Sequence, residues 1–173
     1  MEDELYFVVK IKKHKEIKDR ILKSIEKFVQ KNPIVDEFSN ISNTDWNIPL
    51  NVRREWFEIF MGSSREDINL AYEKLYSGFE VKDFMIHNVW FQQYESNSHH
   101  GWHTHGGCNF SNVYYLELPE GSQGTEFKFN DKTTFADVEE GDLVIFPAHI
   151  PHRSINLSNN RRTVLVFNSS LQV

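Results

Sequence analysis

What most constrains this chain is a change of texture at Val81. From there onward, short runs rich in Val, Ile, Phe, Tyr and Trp alternate with clusters of turn-forming residues. β-branched and aromatic side chains suit a pleated, half-buried surface, so such runs read as strands. The pattern predicts strands near Phe84–Tyr94, Ser111–Leu118, Thr125–Phe129, Asp142–Phe146, Pro151–Asn156 and Thr163–Asn168. Turns fall at Pro119-Glu120-Gly121-Ser122, Glu139-Glu140-Gly141-Asp142 and Leu157-Ser158-Asn159-Asn160. Short strands at this spacing predict an antiparallel sandwich or jelly roll.

The front half reads as helical. Ile17, Ile21, Ile25 and Phe28 recur every three or four positions between Lys15 and Gln30, one buried stripe of a helix that Pro33 stops. A second helix is expected to begin around Ser64, with Asp67 three residues on as a capping-box-like signal. Its stripe is Ile68, Ala71, Tyr72 and Leu75, and Gly78 is placed to end it. Asn40 to Phe60 is ambiguous, with Trp46 and Trp56 expected in the core or at a pocket rim. The expected class is α+β, mainly β, with the helices packed on one face of the sheet. Without repeats or a Pro/Gly-rich linker, residues 1–173 read as one domain: 1–80 as helical support and 81–173 as the β core.

Composition narrows the function classes. A chain of 173 residues can bury roughly 70% of its unfolded surface and needs no disulfides to stand. Apolar residues at 39% and charged residues at 25% argue against disorder. A net charge of -6 argues against broad nucleic-acid binding. The single cysteine, Cys108, rules out an intrachain disulfide framework and fits a reducing compartment. The opening Met1-Glu2-Asp3-Glu4 is acidic where a signal peptide would be basic, and no run nears the ~18 apolar residues of a membrane span. The expectation is a cytoplasmic protein that engages neither membrane nor nucleic acid. The basic segment Lys10-Ile11-Lys12-Lys13-His14-Lys15 reads as a solvated strand-to-helix edge rather than an anion site.

Seven of the eight histidines lie between His87 and His152. The segment Ser98-His99-His100-Gly101-Trp102-His103-Thr104-His105 is the densest. One residue separates His103 from His105, so on a strand both rings would face the same side. Two imidazoles so placed can share one metal ion at about 2.0–2.2 Å. His152, late in the β region, is the natural third ligand. Ten residues further, Arg162 opens the alternating strand Arg162-Thr163-Val164-Leu165-Val166-Phe167-Asn168. A guanidinium on the inner face of a strand is costly without an anion, and its fork matches a carboxylate bidentately. The competing reading makes Arg161 and Arg162 both surface charges and the histidines surface decoration.

The ordered set of His-x-His, Val113-Tyr114-Tyr115-Leu116, Gly141-Asp142 ahead of Phe146, His152 and Arg162 resembles the Fe(II)- and 2-oxoglutarate-dependent oxygenases. It is most similar to prolyl-hydroxylase-like members and to a bacterial and phage subgroup with His-x-His, over roughly Val81 to Asn168. The resemblance implies a double-stranded β-helix, a jelly roll with metal at its open end. It places Fe(II) on His103, His105 and His152, and the distal carboxylate of 2-oxoglutarate on Arg162 and Tyr115. Ser111, Val113, Tyr94 and Asn168 would line the cosubstrate pocket, and Trp90 would face the same cavity. The implied reaction consumes O2 and hydroxylates a peptide, amino acid or small molecule with release of succinate and CO2; ascorbate is the expected reductant.

One departure stands out. Most of the superfamily carries an acid where this chain has His105, so the site is one negative charge short. Glu117 and Glu126 are the nearby acids that could join the metal instead. Two other classes compete with the oxygenase: a cupin-type metalloprotein that does not use 2-oxoglutarate (a lyase, isomerase or dioxygenase), and a non-catalytic protein with a relic site. The first finds no glutamate after the His-x-His, Asn109 standing there, and gives Arg162 no role.

Overall fold

The Ile17–Phe28 stripe forms α1 (His14–Lys31), with Ile17, Ile21, Ile25 and Phe28 all buried. A computed structural model of the chain describes residues 5–32, 40–76 and 81–172. Pro33 and Gly78, the expected helix stops, lie outside the described residues. The second helix, α2 (Glu55–Leu75), begins well before Ser64. Trp56, Phe60, Ser64, Ile68, Ala71 and Tyr72 are buried along it, so one apolar stripe runs through Gly62-Ser63-Ser64 despite their low helix propensity. Ser64 is no cap: its hydroxyl donates to the Phe60 carbonyl one turn back at 2.7 Å. Asp67 accepts the Lys12 N–H instead, and Leu75, expected in the stripe, is exposed.

Ten strands accompany the helices among the described residues: β1 (Phe7–Lys10), β2 (Asn43–Thr44), β3 (Asp83–Tyr94), β4 (His99–His103), β5 (Phe110–Glu117), β6 (Glu126–Phe129), β7 (Lys132–Phe135), β8 (Asp142–Pro147), β9 (His152–Ile155) and β10 (Arg162–Gln172). Six match the sequence reading; β1, β2, β4 and β7 do not come from it. They form two antiparallel sheets, ordered β1-β8-β5-β10-β3-β2 and β4-β9-β6-β7. From β3 onward the chain moves back and forth between them, so neighbours in sequence mostly lie on opposite layers.

Strand periodicity divides the larger sheet. Leu165 and Phe167 of β10, with Phe91, Tyr114 and Leu116, face α1 and α2 and pack on Ile17, Ile21, Trp56 and Phe60. Val164 and Val166 face the other way, where Trp90, Tyr94, Val113 and Tyr115 meet Phe127 of the smaller sheet. The helices thus cover the outer face, as expected, and the inner face is left to build a site between the sheets. Each fully buried large apolar side chain contributes roughly 1.5–3 kcal/mol. The Lys10–Lys15 segment is the strand-to-helix edge expected of it, with Lys10 paired to Glu139 and Asp142, and Lys12 to Asp67. No helix among the described residues is long and apolar enough to cross a membrane.

Candidate metal centre and anion pocket

His103, His105 and His152 come together with one candidate ligand nitrogen each, all within 4.8 Å of one another. The chain reaches this by a different route from the one the His-x-His spacing suggests. β4 ends at His103, so His105 does not share a strand face with it. His105 lies in the loop that follows, fixed by its N–H donating to the Ala148 carbonyl at 2.9 Å. His152 opens β9 directly opposite His103. Between His100 and His103 the ladder loses register: three steps on β4 match two on β9, where His100 faces Ser154. That extra residue is a β-bulge, which re-aims side chains beside it.

Backbone carbonyls set the tautomers. His103 Nδ1–H donates to Gly101 at 2.8 Å, and His152 Nδ1–H to Ile150 at 2.9 Å. Each ring is left with its Nε2 lone pair, the form a metal takes. His105 Nε2 is buried without a hydrogen-bond partner, and its Nδ1 lies 3.4 Å from the Asn168 amide. Asn168 Oδ1 is itself unpartnered. Turning that amide so that Oδ1 accepts from Nδ1–H satisfies both groups and frees Nε2 in the third ring as well. Burial, reinforced by the neighbouring imidazoles, pulls His152 down to about 3 and His105 down to about 4. Burial also lowers His103. All three are therefore neutral near pH 7, as metal ligation requires.

A small cavity of about 20 Å³ lies against these rings, with Trp90, Gln92, Val113, Thr125, Ser154 and Val164 among its walls. Two residues before the cavity-lining Val164, on the same face of β10, is Arg162, 0% exposed. Its guanidinium lies 5.5 Å from the Tyr94 ring centre and 5.3 Å from that of Tyr115. Nη1 makes a long contact to the Ile155 carbonyl at 3.4 Å, while Nε and Nη2 have no partner among the described residues. A buried guanidinium in that condition calls for an anion. The adjacent Arg161 behaves oppositely: half-buried, it forks onto Glu117 at 3.0 and 3.1 Å. Burial keeps both Tyr94 and Tyr115 protonated by raising their pKa. Tyr115 Oη accepts the Thr125 N–H at 2.9 Å and shares a second hydrogen bond with Thr125 Oγ1 at 2.9 Å, in which either hydroxyl can donate.

Ser111, Val113 and Asn168 are buried on the inner face as expected, the Ser111 hydroxyl unpartnered. Trp90 lines the cavity and lies 5.7 Å from His105, ring centre to ring centre. Trp46, 51% exposed, meets Trp90 edge-on at 4.4 Å and forms a rim; Trp56 is core. Neither acid considered as a substitute ligand is in the cluster. Glu117 is held by Arg161 and Thr163, and Glu126 by Arg153 at 2.5 Å. His99 contacts Asn40 and His149 is exposed. Gln92 and Ser154 were missed from the sequence, although each shares strand parity with a residue that was not, Gln92 with Trp90 and Tyr94, Ser154 with His152.

No protein-family model matches this sequence. No curated protein matches it either. Solved structures do. A Pseudomonas putida prolyl-4-hydroxylase superimposes with a TM-score of 0.64 at 15% identity, covering 96% of this chain and 92% of its own. A Trichoplax adhaerens prolyl hydroxylase, solved with a peptide fragment of hypoxia inducible factor, gives 0.66 at 13% identity over 96% of this chain and 84% of that one. A Burkholderia pseudomallei oxidoreductase of the 2OG-Fe(II) oxygenase family gives 0.57 at 15%, over 70% of this chain; this chain covers 60% of that one's length. The fold is thus that of 2-oxoglutarate- and Fe(II)-dependent oxygenases, prolyl hydroxylases among them, and the resemblance read in the sequence is met in three dimensions.

Proposed function

We propose that the protein is an Fe(II)- and 2-oxoglutarate-dependent dioxygenase that hydroxylates its substrate. The observation that carries this reading is the buried Arg162, two of whose guanidinium nitrogens have no partner among the described residues. It lies on the same face of β10 as Val164 and Val166, which line the cavity beside the three neutral histidines. His103, His105 and His152 would hold the iron through Nε2. Arg162, with the Tyr115 hydroxyl, would hold the far carboxylate of 2-oxoglutarate, and Tyr94, Ser111, Val113 and Asn168 would shape its pocket. Bound iron, with 2-oxoglutarate and O2, supplies the oxidising power for C–H hydroxylation with release of succinate and CO2. The chain contributes orientation and exclusion of water: Val113, Val164 and Val166 give the cavity dry walls. The alternation of β3 to β10 between two sheets supports reading the architecture as a double-stranded β-helix.

Three imidazoles bring no negative charge, so iron is held less tightly than by two histidines and a carboxylate. The peptide bound to the Trichoplax relative supports a peptide substrate, with a small molecule as the alternative; Trp46 and Trp90 offer the rim it would pass. Anaerobic addition of 2-oxoglutarate to the Fe(II)-loaded protein, followed by succinate release in air with ascorbate as reductant, tests the proposal. A visible charge-transfer band and succinate production that needs both iron and 2-oxoglutarate are expected. Iron binding with neither band nor succinate would favour a cupin-type metalloprotein.

A further inference from the structure

Residues three apart on a regular strand face opposite sides. The bulge in β4 brings His100 and His103 onto one side, where their rings stack with centres 3.9 Å apart and planes 25° from parallel. His100 is not one of the three residues whose ligand nitrogens converge. It is itself braced: Gln92 Nε2 donates to His100 Nδ1 at 3.3 Å, and the Tyr94 hydroxyl donates to Gln92 Oε1 at 2.7 Å. That hydroxyl sets the amide orientation, so the amide N–H2 is the end that reaches His100.

The His103 Nδ1–H bond to the Gly101 carbonyl fixes one edge of that ring. The ring also meets His152, with centres 4.2 Å apart and planes inclined at 55°, and His105 edge-on at 5.1 Å. His100 is the ring that lies nearly parallel on it. We infer that His100 is a positioning residue, a stacked plate that holds the His103 ring in its metal-binding orientation, and that Gln92 is the brace holding the plate. This inference rests on the reading of the three histidines as a metal site. Partners that orient a metal-binding histidine are typically worth 10–100-fold in metal affinity. A plate acts through its flat face and not through a nitrogen, which separates this role from ligation.

The test is Co(II) affinity of the purified full chain, by competition with a fluorescent chelator, together with the Co(II) d–d spectrum. His100→Ala is expected to weaken binding about tenfold or more and to alter the d–d bands. His100→Phe, which keeps a flat ring and loses both nitrogens, is expected to stay within about twofold of the parent. Gln92→Leu should weaken binding when His100 is present and have no effect in the His100→Phe background, where there is nothing to brace. Equal loss in the Ala and Phe variants would overturn the inference, because a nitrogen would then be what matters. Unchanged affinity in all variants would overturn it as well. If the parent protein binds no Co(II), the metal reading itself fails. Should His100→Ala not fold, the two Gln92→Leu backgrounds still decide.

Discussion

The Arg54 guanidinium grips the Asp45 carboxylate from Nε to Oδ2 at 2.6 Å, with the two side chains 4% and 0% exposed. Arg54 also donates to the carbonyls of Ile48, Pro49 and Val52, and Asp45 Oδ1 accepts the Phe91 N–H at 2.8 Å. The pair therefore ties the segment before α2 to β3 and presents Trp46, the residue after Asp45, over Trp90. Removing one partner strands a buried charge, which costs about 3–5 kcal/mol. Asp45→Ala should lower stability by that order in urea unfolding and perturb tryptophan fluorescence. Arg53→Ala, which breaks the exposed Arg53–Glu58 pair, should leave the urea midpoint unchanged.

Arg162 offers the opposite case, a buried cation already lacking a carboxylate. Replacing it with methionine should leave the ligand-free protein as stable as the parent or more so, because the unpaired charge is lost and the volume retained. 2-Oxoglutarate with a divalent metal should raise the melting temperature of the parent and not of Arg162→Met. A retained shift in the variant would remove Arg162 from the cosubstrate pocket.

Acid should act on the metal-free protein through its buried histidines. In the unfolded chain a histidine titrates near 6.5, whereas burial holds His105 at about 4 and His152 at about 3. Between those limits the unfolded state carries more protons than the folded one. Stability from this source is complete above about pH 6.5, falls as pH drops towards 3, and is level below that. Melting curves from pH 7.5 to 4 should show this decline, and His152→Asn should flatten it. Saturating metal should raise stability and extend the decline below pH 3, since the bound ion keeps the folded-state histidines unprotonated to lower pH while the unfolded chain still titrates near 6.5.

Gly141 closes the turn into β8 with φ +91, and a Cβ there would meet His14 Cγ at 2.8 Å. The His14 ring is fixed by the Tyr114 hydroxyl at 2.6 Å and cannot yield easily. Gly141→Ala should cost at least about 1 kcal/mol from the backbone alone. Thermal unfolding would reveal it, whereas Gly62→Ala, with nothing within 4 Å of the new methyl, should not destabilise.

Strand parity made much of this site legible. Arg162, Val164, Val166 and Asn168 alternate with Leu165 and Phe167, so the inward set could be read without coordinates; Tyr115 was singled out by the family resemblance, and it lies on the inner face while Tyr114 packs against the helices. The neighbouring arginines, by contrast, were not separated by the strand pattern alone: only the structure shows Arg162 buried and Arg161 half-buried against Glu117. Parity failed where the backbone departs from a regular strand. His99-His100-Gly101-Trp102-His103 carries no β-branched residue and contains a glycine, so β4 gave no strand signal, and a bulge leaves no mark in composition. The His-x-His spacing pointed to residues that do converge, but by a different geometry, since a loop delivers His105. Gly62-Ser63-Ser64 mimicked a helix start because local propensity there opposes the packing of Trp56 and Phe60, and packing decided. β7 is exposed throughout, so it had no apolar alternation to betray it.

β4 is the border strand of its sheet, laddered to β9 on one side and bridged at His99 to Asn40 on the other. A length change there disturbs one ladder, while every other strand keeps its partners. Insertion or deletion of a single amino acid in that border could therefore swap which imidazoles look inward while the scaffold survives intact. This strand is therefore a place where the chemistry of the site can be retuned without rebuilding the two sheets.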